Sequence, residues 1–153
     1  MASVAMSGND TIQINNQVLT DLADGDCVVL SFPNEIASVK IGKNGNAIYG
    51  LNTTGQMSEV KIRVIRGSAD DKFLNNLLTQ QQLNFSGFPV MIGEFVKLIG
   101  DGAGNVQNDT YIMSGGVFAK AVEAKTNVEG DALQSVSEYM IRFANNPAIR
   151  ALT

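Results

Sequence analysis

The chain has 153 residues, a formal net charge of −4 and a sequence pI near 4.7, with 44% hydrophobic and 17% charged residues. This suits one domain that buries roughly two-thirds of its unfolded surface, and it argues against gripping nucleic acid by phosphate neutralisation, which needs clustered Lys and Arg. With no histidine and a single cysteine, Cys27, the chain lacks Ser-His and Cys-His nucleophile pairs, His or paired-Cys zinc ligands, and an intrachain disulfide.

The opening MASVAMSGND has neither a basic n-region nor an apolar h-region, so a soluble, cytoplasmic protein without a membrane anchor is expected. Strand-like alternation or short apolar runs follow in TIQINNQVL (11–19), DCVVLSF (26–32), IASVKI (36–41) and MSEVKIRVIR (57–66). Cys27 falls inside one of these runs and is expected as a small core residue. GKNGN (42–46) is a turn signal, and the AIYGLNTTGQ after it has little strand pattern, so 42–56 reads as a long polar excursion with an intersubunit or binding role. In strand 57–66, Val60, Ile62 and Val64 share one face and Glu59, Lys61 and Arg63 the wet one.

The stretch VKIRVIRGSADDKFLNNLL (60–78) then changes period from two to 3.6, which places a helix at about 69–83. Ser68 is the N-cap, Asp71 stands where a capping box places an acid, and Asp70 and Asp71 complement the helix dipole. Phe73, Leu74, Leu77 and Leu78 form the packing stripe, with Asn and Gln opposite. Three longer strands follow at 89–99, 109–124 and 132–143. In the first, Val90, Ile92, Val96 and Leu98 alternate with Met91, Phe95 and Ile99, so both faces should be covered, by a central position or by a neighbouring subunit. The pattern favours an antiparallel β-sandwich or barrel with one flanking α-helix, a single domain over 1–153 whose ends, 1–9 and 145–153, extend or form interfaces.

Candidate chemistry is sparse. IGDGAGN (99–105) lacks the Lys-Ser/Thr of a phosphate loop and the acidic spacing of a calcium loop, and reads as a hairpin turn. The adjacent carboxylates Asp24 with Asp26, and Asp70 with Asp71, read as a solvated turn and a capped helix rather than a glycosidase couple. In ANNPAIRALT (144–153), Pro147 is expected to stop a strand.

The blocks NEIASVKIGKNGNAIYG (34–50), VKIRVIRGSADDKFLN (60–75) and SGGVFAKAVEAKTNVEGDALQSVSEYMIRF (114–143) together resemble the tail tube proteins of contractile-tailed bacteriophages, across about residues 10–145. The resemblance implies a compact β fold similar to the type VI secretion tube protein, assembled into hexameric rings that stack as the inner tail tube. Its implied partners are other copies, the contractile sheath, baseplate and tail terminator proteins, and, in the lumen, tape measure protein and DNA held without specific binding. It implies a virion protein assembled in the host cytoplasm, with no enzymatic activity, catalytic residue, cofactor or metal. Ring stacking is assigned to the loop 42–56, particularly Lys43, Asn44, Asn46 and Tyr49, and Phe73, Leu74, Leu77 and Leu78 to core or subunit packing.

Two tube alternatives, a bacteriocin or secretion-system subunit, share these features. A small-ligand-binding β-barrel would instead need barrel-facing residues too small to fill the core, and a carboxylate hydrolase would need two convergent acids.

Overall fold

The computed structural model describes residues 4–6, 10–23, 25–124, 126, 128, 135–145 and 150–152. Its strands are β1 (Ala5–Met6), β2 (Thr11–Ile14), β3 (Gln17–Val18), β4 (Val28–Ser31), β5 (Ala37–Ile41), β6 (Ala47–Leu51), β7 (Ser58–Ile65), β8 (Met91–Gly100), β9 (Val106–Lys120), β10 (Val136–Asn145) and β11 (Ala151–Leu152); one α-helix, α1 (Ala69–Leu83), lies between β7 and β8. Pairing is antiparallel throughout. The main sheet runs β3-β2-β8-β9-β10-β7-β4, with β1 added to β8 and β11 to β9, while β5 and β6 form a separate hairpin. The fold is thus mainly β, a sandwich or barrel with one flanking helix, as the strand spacing predicted.

The sheet curls so that side chains from both of its ends meet in one core. Ile12 and Ile14 from β2 join Val60, Ile62 and Val64 from β7, all at 0–1% exposure. Between them the chain crosses from β3 toward β7, where Leu22 bridges Val64 and the Ala23 N–H donates to the Arg63 carbonyl. The face of β7 assigned to the core is buried at every position, and Ser58 extends it. On its other face Glu59 accepts from Arg142 Nε at 2.7 Å, and Arg63 lies opposite Glu138, so this surface carries both signs of charge.

Three local readings are corrected, and a fourth, on β8, is made more specific. TIQINNQVL is a hairpin rather than one strand, because Asn15 and Asn16 both adopt left-handed backbone, φ 50° and 66°, as a tight two-residue turn requires. AIYGL is a strand, β6. Cys27 is half-buried rather than a core residue. β8 is central in the sheet, between β2 and β9; Met91 is buried and Val96 and Leu98 are half-buried, but Ile92 is 46% exposed and Val90, just before the strand, 57%, so the start of this face is left open by this chain.

Core filling depends on two glycines under one aromatic ring. A Cβ on Gly116 would lie 2.5 Å from Phe143 Cε1 and 3.2 Å from the Met91 carbonyl oxygen, and one on Gly93 would lie 3.0 Å from Phe143 Cζ. Phe143 is itself fully buried. Gly116→Ala is therefore expected to force the ring aside and cost about 1–3 kcal/mol. A lower denaturant midpoint at unchanged slope would register it, and a wild-type midpoint would contradict this packing.

The helix begins and ends at Ala69 and Leu83 because the local signals operate as expected. Ser68 Oγ accepts from the Asp71 N–H at 3.2 Å; the reciprocal arm reaches one residue further back, since Asp71 Oδ2 accepts from the Gly67 N–H at 2.8 Å while the Ser68 N–H is held by the Ile65 carbonyl. Leu74 and Leu78 are buried and Phe73 and Leu77 pack partly against the core. The carboxylates do more than complement the dipole. Asp70, 3% exposed, accepts from the Thr20 and Asp21 N–H groups at 2.6 and 2.5 Å. Asp71 accepts from Tyr139 Oη at 2.5 Å and from Ser137 Oγ at 3.2 Å. The pair therefore ties the helix start to the segment after β3 and to β10.

Tyr139 is 1% exposed, and burial, then the hydrogen bond to Asp71, raises its phenol well above the ordinary tyrosine range. A raised native pKa gives stability that is complete below the unfolded value of about 10 and is lost as pH rises toward the native one. Tyr139→Phe is expected to cost about 1.5–3 kcal/mol at neutral pH and to flatten the alkaline loss. Urea midpoints at neutral pH and at about pH 11 test both halves; parallel pH profiles for the two proteins would contradict the assignment.

Candidate assembly surface

The hairpin β5–β6 stands outside the main sheet and carries the loop residues singled out in the sequence. Its register pairs Ala37 with Leu51, Val39 with Tyr49 and Ile41 with Ala47. Directly opposed residues share a face, and alternate residues along a strand return to it. One face therefore consists of six apolar side chains, Ala37, Val39, Ile41, Ala47, Tyr49 and Leu51. All are exposed: Tyr49 is 78% and Leu51 83% accessible. The reverse face bears Ser38, Lys40, Ile48 and Gly50.

Lys43, Asn44 and Asn46 lie exposed at the hairpin tip, where Gly45 takes φ 83° and the Gly42 N–H donates to the Asn46 carbonyl at 2.7 Å. Of the four residues assigned to stacking, only Tyr49 belongs to the apolar face. Its companions Val39, Ile41 and Leu51 carry the one-sided apolar pattern by which a strand ordinarily faces its own core. Their register was the available signal: the Gly-Asn turn centred on 42–46 folds 37–41 onto 47–51.

The base of the hairpin is braced. The Asn52 N–H donates to the Ile36 carbonyl at 3.0 Å, Asn52 Oδ1 accepts from the Thr54 N–H and hydroxyl, and Asn34 Nδ2 donates to the Thr54 carbonyl at 3.1 Å. These contacts form around a short 3₁₀ helix, Thr53–Gln56, whose buried Gly55 leaves no space for a side chain: a Cβ there would lie 2.7 Å from the Glu35 carbonyl oxygen. A two-stranded hairpin has little stability by itself in water, so an exposed, braced one presenting only apolar side chains on one face is suited to being covered.

A second apolar surface lies on the outer face of β8 and β9. Ile92 and Ile112, 46% and 54% exposed, border a shallow groove with Gln13 and Glu94. Leu83, the last residue of α1, and Phe85 just beyond it are 82% and 67% exposed.

The remaining candidates resolve into local structure. IGDGAGN forms the β8–β9 turn, in which Asp101 Oδ1 accepts from the Ala103 and Asn105 N–H groups at 2.7 and 3.1 Å and Oδ2 accepts from Asn105 Nδ2 at 2.7 Å. The Asn105 side chain, then these backbone donors, lower the pKa of this carboxyl below its ordinary range. Asp24, and with it any Asp24–Asp26 couple, lies outside the described residues, as does Pro147. At the two ends, Ala5–Met6 and Ala151–Leu152 are strands paired with β8 and β9 of the same chain. Among the described residues no three His, Cys, Asp or Glu side chains converge as a metal site, and no helix is long and apolar enough to cross a membrane.

No protein-family model matches the chain, and no curated protein matches it.

Proposed function

We propose that this chain is a structural, non-catalytic subunit that assembles with copies of itself into rings stacked as the inner tube of a contractile phage tail. The observation that carries this reading is the β5–β6 face, on which six apolar side chains are exposed together on a braced hairpin. An open apolar area on β8 and β9 supports it, because two different sticky surfaces on one molecule favour head-to-tail association, which closes rings or continues as filaments. The resemblance of 34–50, 60–75 and 114–143 to tail tube proteins selects the ring and tube among such assemblies.

A ring of six copies would carry a charge of about −24, six times the −4 of one chain, and a tube without a basic lumen would let DNA slide rather than adhere. In this reading the protein belongs to the virion, is assembled in the host cytoplasm, and meets sheath, baseplate, terminator and tape measure proteins. The small-ligand alternative is disfavoured by Phe143, which occupies the space over Gly93 and Gly116.

Negative-stain microscopy and sedimentation of the purified protein test the proposal. Rings or hollow polymers are expected, and a stable monomer at high concentration in several buffers would overturn it. A sheath gene beside this one would separate a contractile tail from a flexible one.

A further inference from the structure

The tip of the β5–β6 hairpin holds the only Asn-Gly step in the chain, Asn44-Gly45. Such a step can rearrange without an enzyme, because glycine has no side chain to shield its nitrogen from the amide of the residue before it. At Gly45 the space is open: φ is 83°, a Cβ there would meet nothing within 4 Å, and Asn44 is exposed. The closed hairpin opposes the reaction. The Gly45 N–H donates to the Gly42 carbonyl at 3.0 Å and the Gly42 N–H to the Asn46 carbonyl at 2.7 Å, so the nitrogen that must attack is held by its own proton within a closed turn. Little holds that turn shut. Among the described residues no further strand pairs with β5 or β6, and the bracing around Asn52 lies at the opposite end of the hairpin. A two-stranded hairpin is marginal by itself in water, so this one opens at far less cost than the main sheet.

We propose that Asn44 is a self-deamidation site gated by the hairpin, protected while the turn is closed and converted to aspartate and isoaspartate when it opens. In the open state the Gly45 nitrogen gives up its proton and attacks Asn44 Cγ. The new C–N bond closes a succinimide ring, and the Cγ–Nδ2 bond breaks to release ammonia, which carries away the proton. Water then opens the ring at either carbonyl, giving aspartate, or isoaspartate with the main chain rerouted through the side-chain carbon. Both products place a carboxylate beside Lys43 where a neutral amide stood. Isoaspartate also lengthens the main chain inside a turn whose length fixes the register of β5 on β6. The β8–β9 turn gives the contrast. Asp101-Gly102 could close the same ring only from a protonated carboxyl, and the Ala103 and Asn105 donors hold that group ionised.

The test uses the full chain with Cys27→Ser to remove its native thiol, and with Tyr49→Lys and Leu51→Lys to keep the apolar face uncovered, so that the result does not depend on the assembly reading. Lys40→Cys with Ile48→Cys adds a lock near the tip, because directly opposed antiparallel residues have Cα atoms about 4.5–5.5 Å apart, within disulfide reach. The oxidised and reduced forms are incubated in mildly alkaline buffer and digested, and mass spectrometry with isoaspartate-specific methylation reads each asparagine over time. In the reduced form Asn44 should convert faster than any other asparagine of the chain. Closing the disulfide should slow that conversion at least about tenfold, since it removes the open state. A lock that fails to oxidise, an Asn44 no faster than the other asparagines, or equal rates with and without the disulfide would each overturn the proposal.

Discussion

Tyr49→Lys combined with Leu51→Lys is expected to abolish self-assembly while leaving the thermal transition of the monomer close to that of the wild type. Both side chains are more than three-quarters exposed, and among the described residues no other strand pairs with their hairpin, so the folded subunit loses almost no packing. An assembly that covers them would lose roughly 1.5–3 kcal/mol for each large apolar side chain, and would gain two desolvated ammonium groups beside Lys40 and Lys43 of the same hairpin. Two such losses correspond to about a hundred- to ten-thousand-fold weaker association. Sedimentation velocity across a concentration series measures this, with circular dichroism confirming the fold. Assembly at wild-type concentration would remove the hairpin from the interface, and a collapsed thermal transition would mean that the face is structural within the monomer. Lys43→Ala at the tip serves as the comparison, since it changes charge without touching the apolar face.

Gln81→Leu should produce the largest loss of monomer stability among single changes outside the apolar core. The sequence places Gln81 among the wet Asn and Gln residues of α1, yet it is 8% exposed. Its Nε2 donates to the Phe118 carbonyl at 3.0 Å and its Oε1 accepts from the Phe118 N–H at 2.8 Å, so the side-chain amide acts as a short piece of partner strand. The need arises from a bulge: Met140 lies opposite Lys120 but Ile141 lies opposite Phe118, which skips Ala119 and breaks the β9–β10 ladder. Leucine would leave both Phe118 groups buried without partners, at roughly 1–3 kcal/mol each, or about 2–6 kcal/mol together. For a domain of this size that lowers the melting temperature by roughly 4–24 °C. Gln81→Glu retains only the acceptor and turns a carboxylate toward the Phe118 carbonyl, so it should be nearly as damaging at neutral pH and recover toward the wild type as the carboxyl protonates on acidification. A wild-type melting temperature for Gln81→Leu would mean that the bulge finds another partner.

These three side chains also mark what the sequence made legible. Period-two alternation located β7 and its buried face, and Ser68 with Asp71 located the start of α1, because in both cases local chemistry and tertiary burial agree. Gln81 was misplaced because its partner, Phe118, is 37 residues away and becomes needy only through a bulge that depends on β10. Asn15 and Asn16 fit a continuous strand by sequence because asparagine tolerates both extended and left-handed backbone, and only the pairing of β2 with β8 selects the second. In the candidate surface, the tip Lys43–Asn46 was recognised from turn chemistry. The apolar face beside it was not, because hydrophobic alternation reports which residues share a side without reporting whether that side meets the chain's own core.

The order of strand pairing has a consequence in time. Thr11–Ile14 pairs with Val96–Gly93, a separation of roughly 80 residues, whereas β5 can close on β6 as soon as residue 51 is available. At about 5–20 residues added per second, β2 waits roughly 4–16 s during synthesis for the strand that completes it. For about the last 45 residues of that wait, roughly 2–9 s, the sticky hairpin can already be formed on a subunit whose sheet is unfinished. A crowded polysome making this protein therefore faces a race between completing each sheet and joining neighbours prematurely, and slowing elongation beyond residue 51 should raise the insoluble fraction.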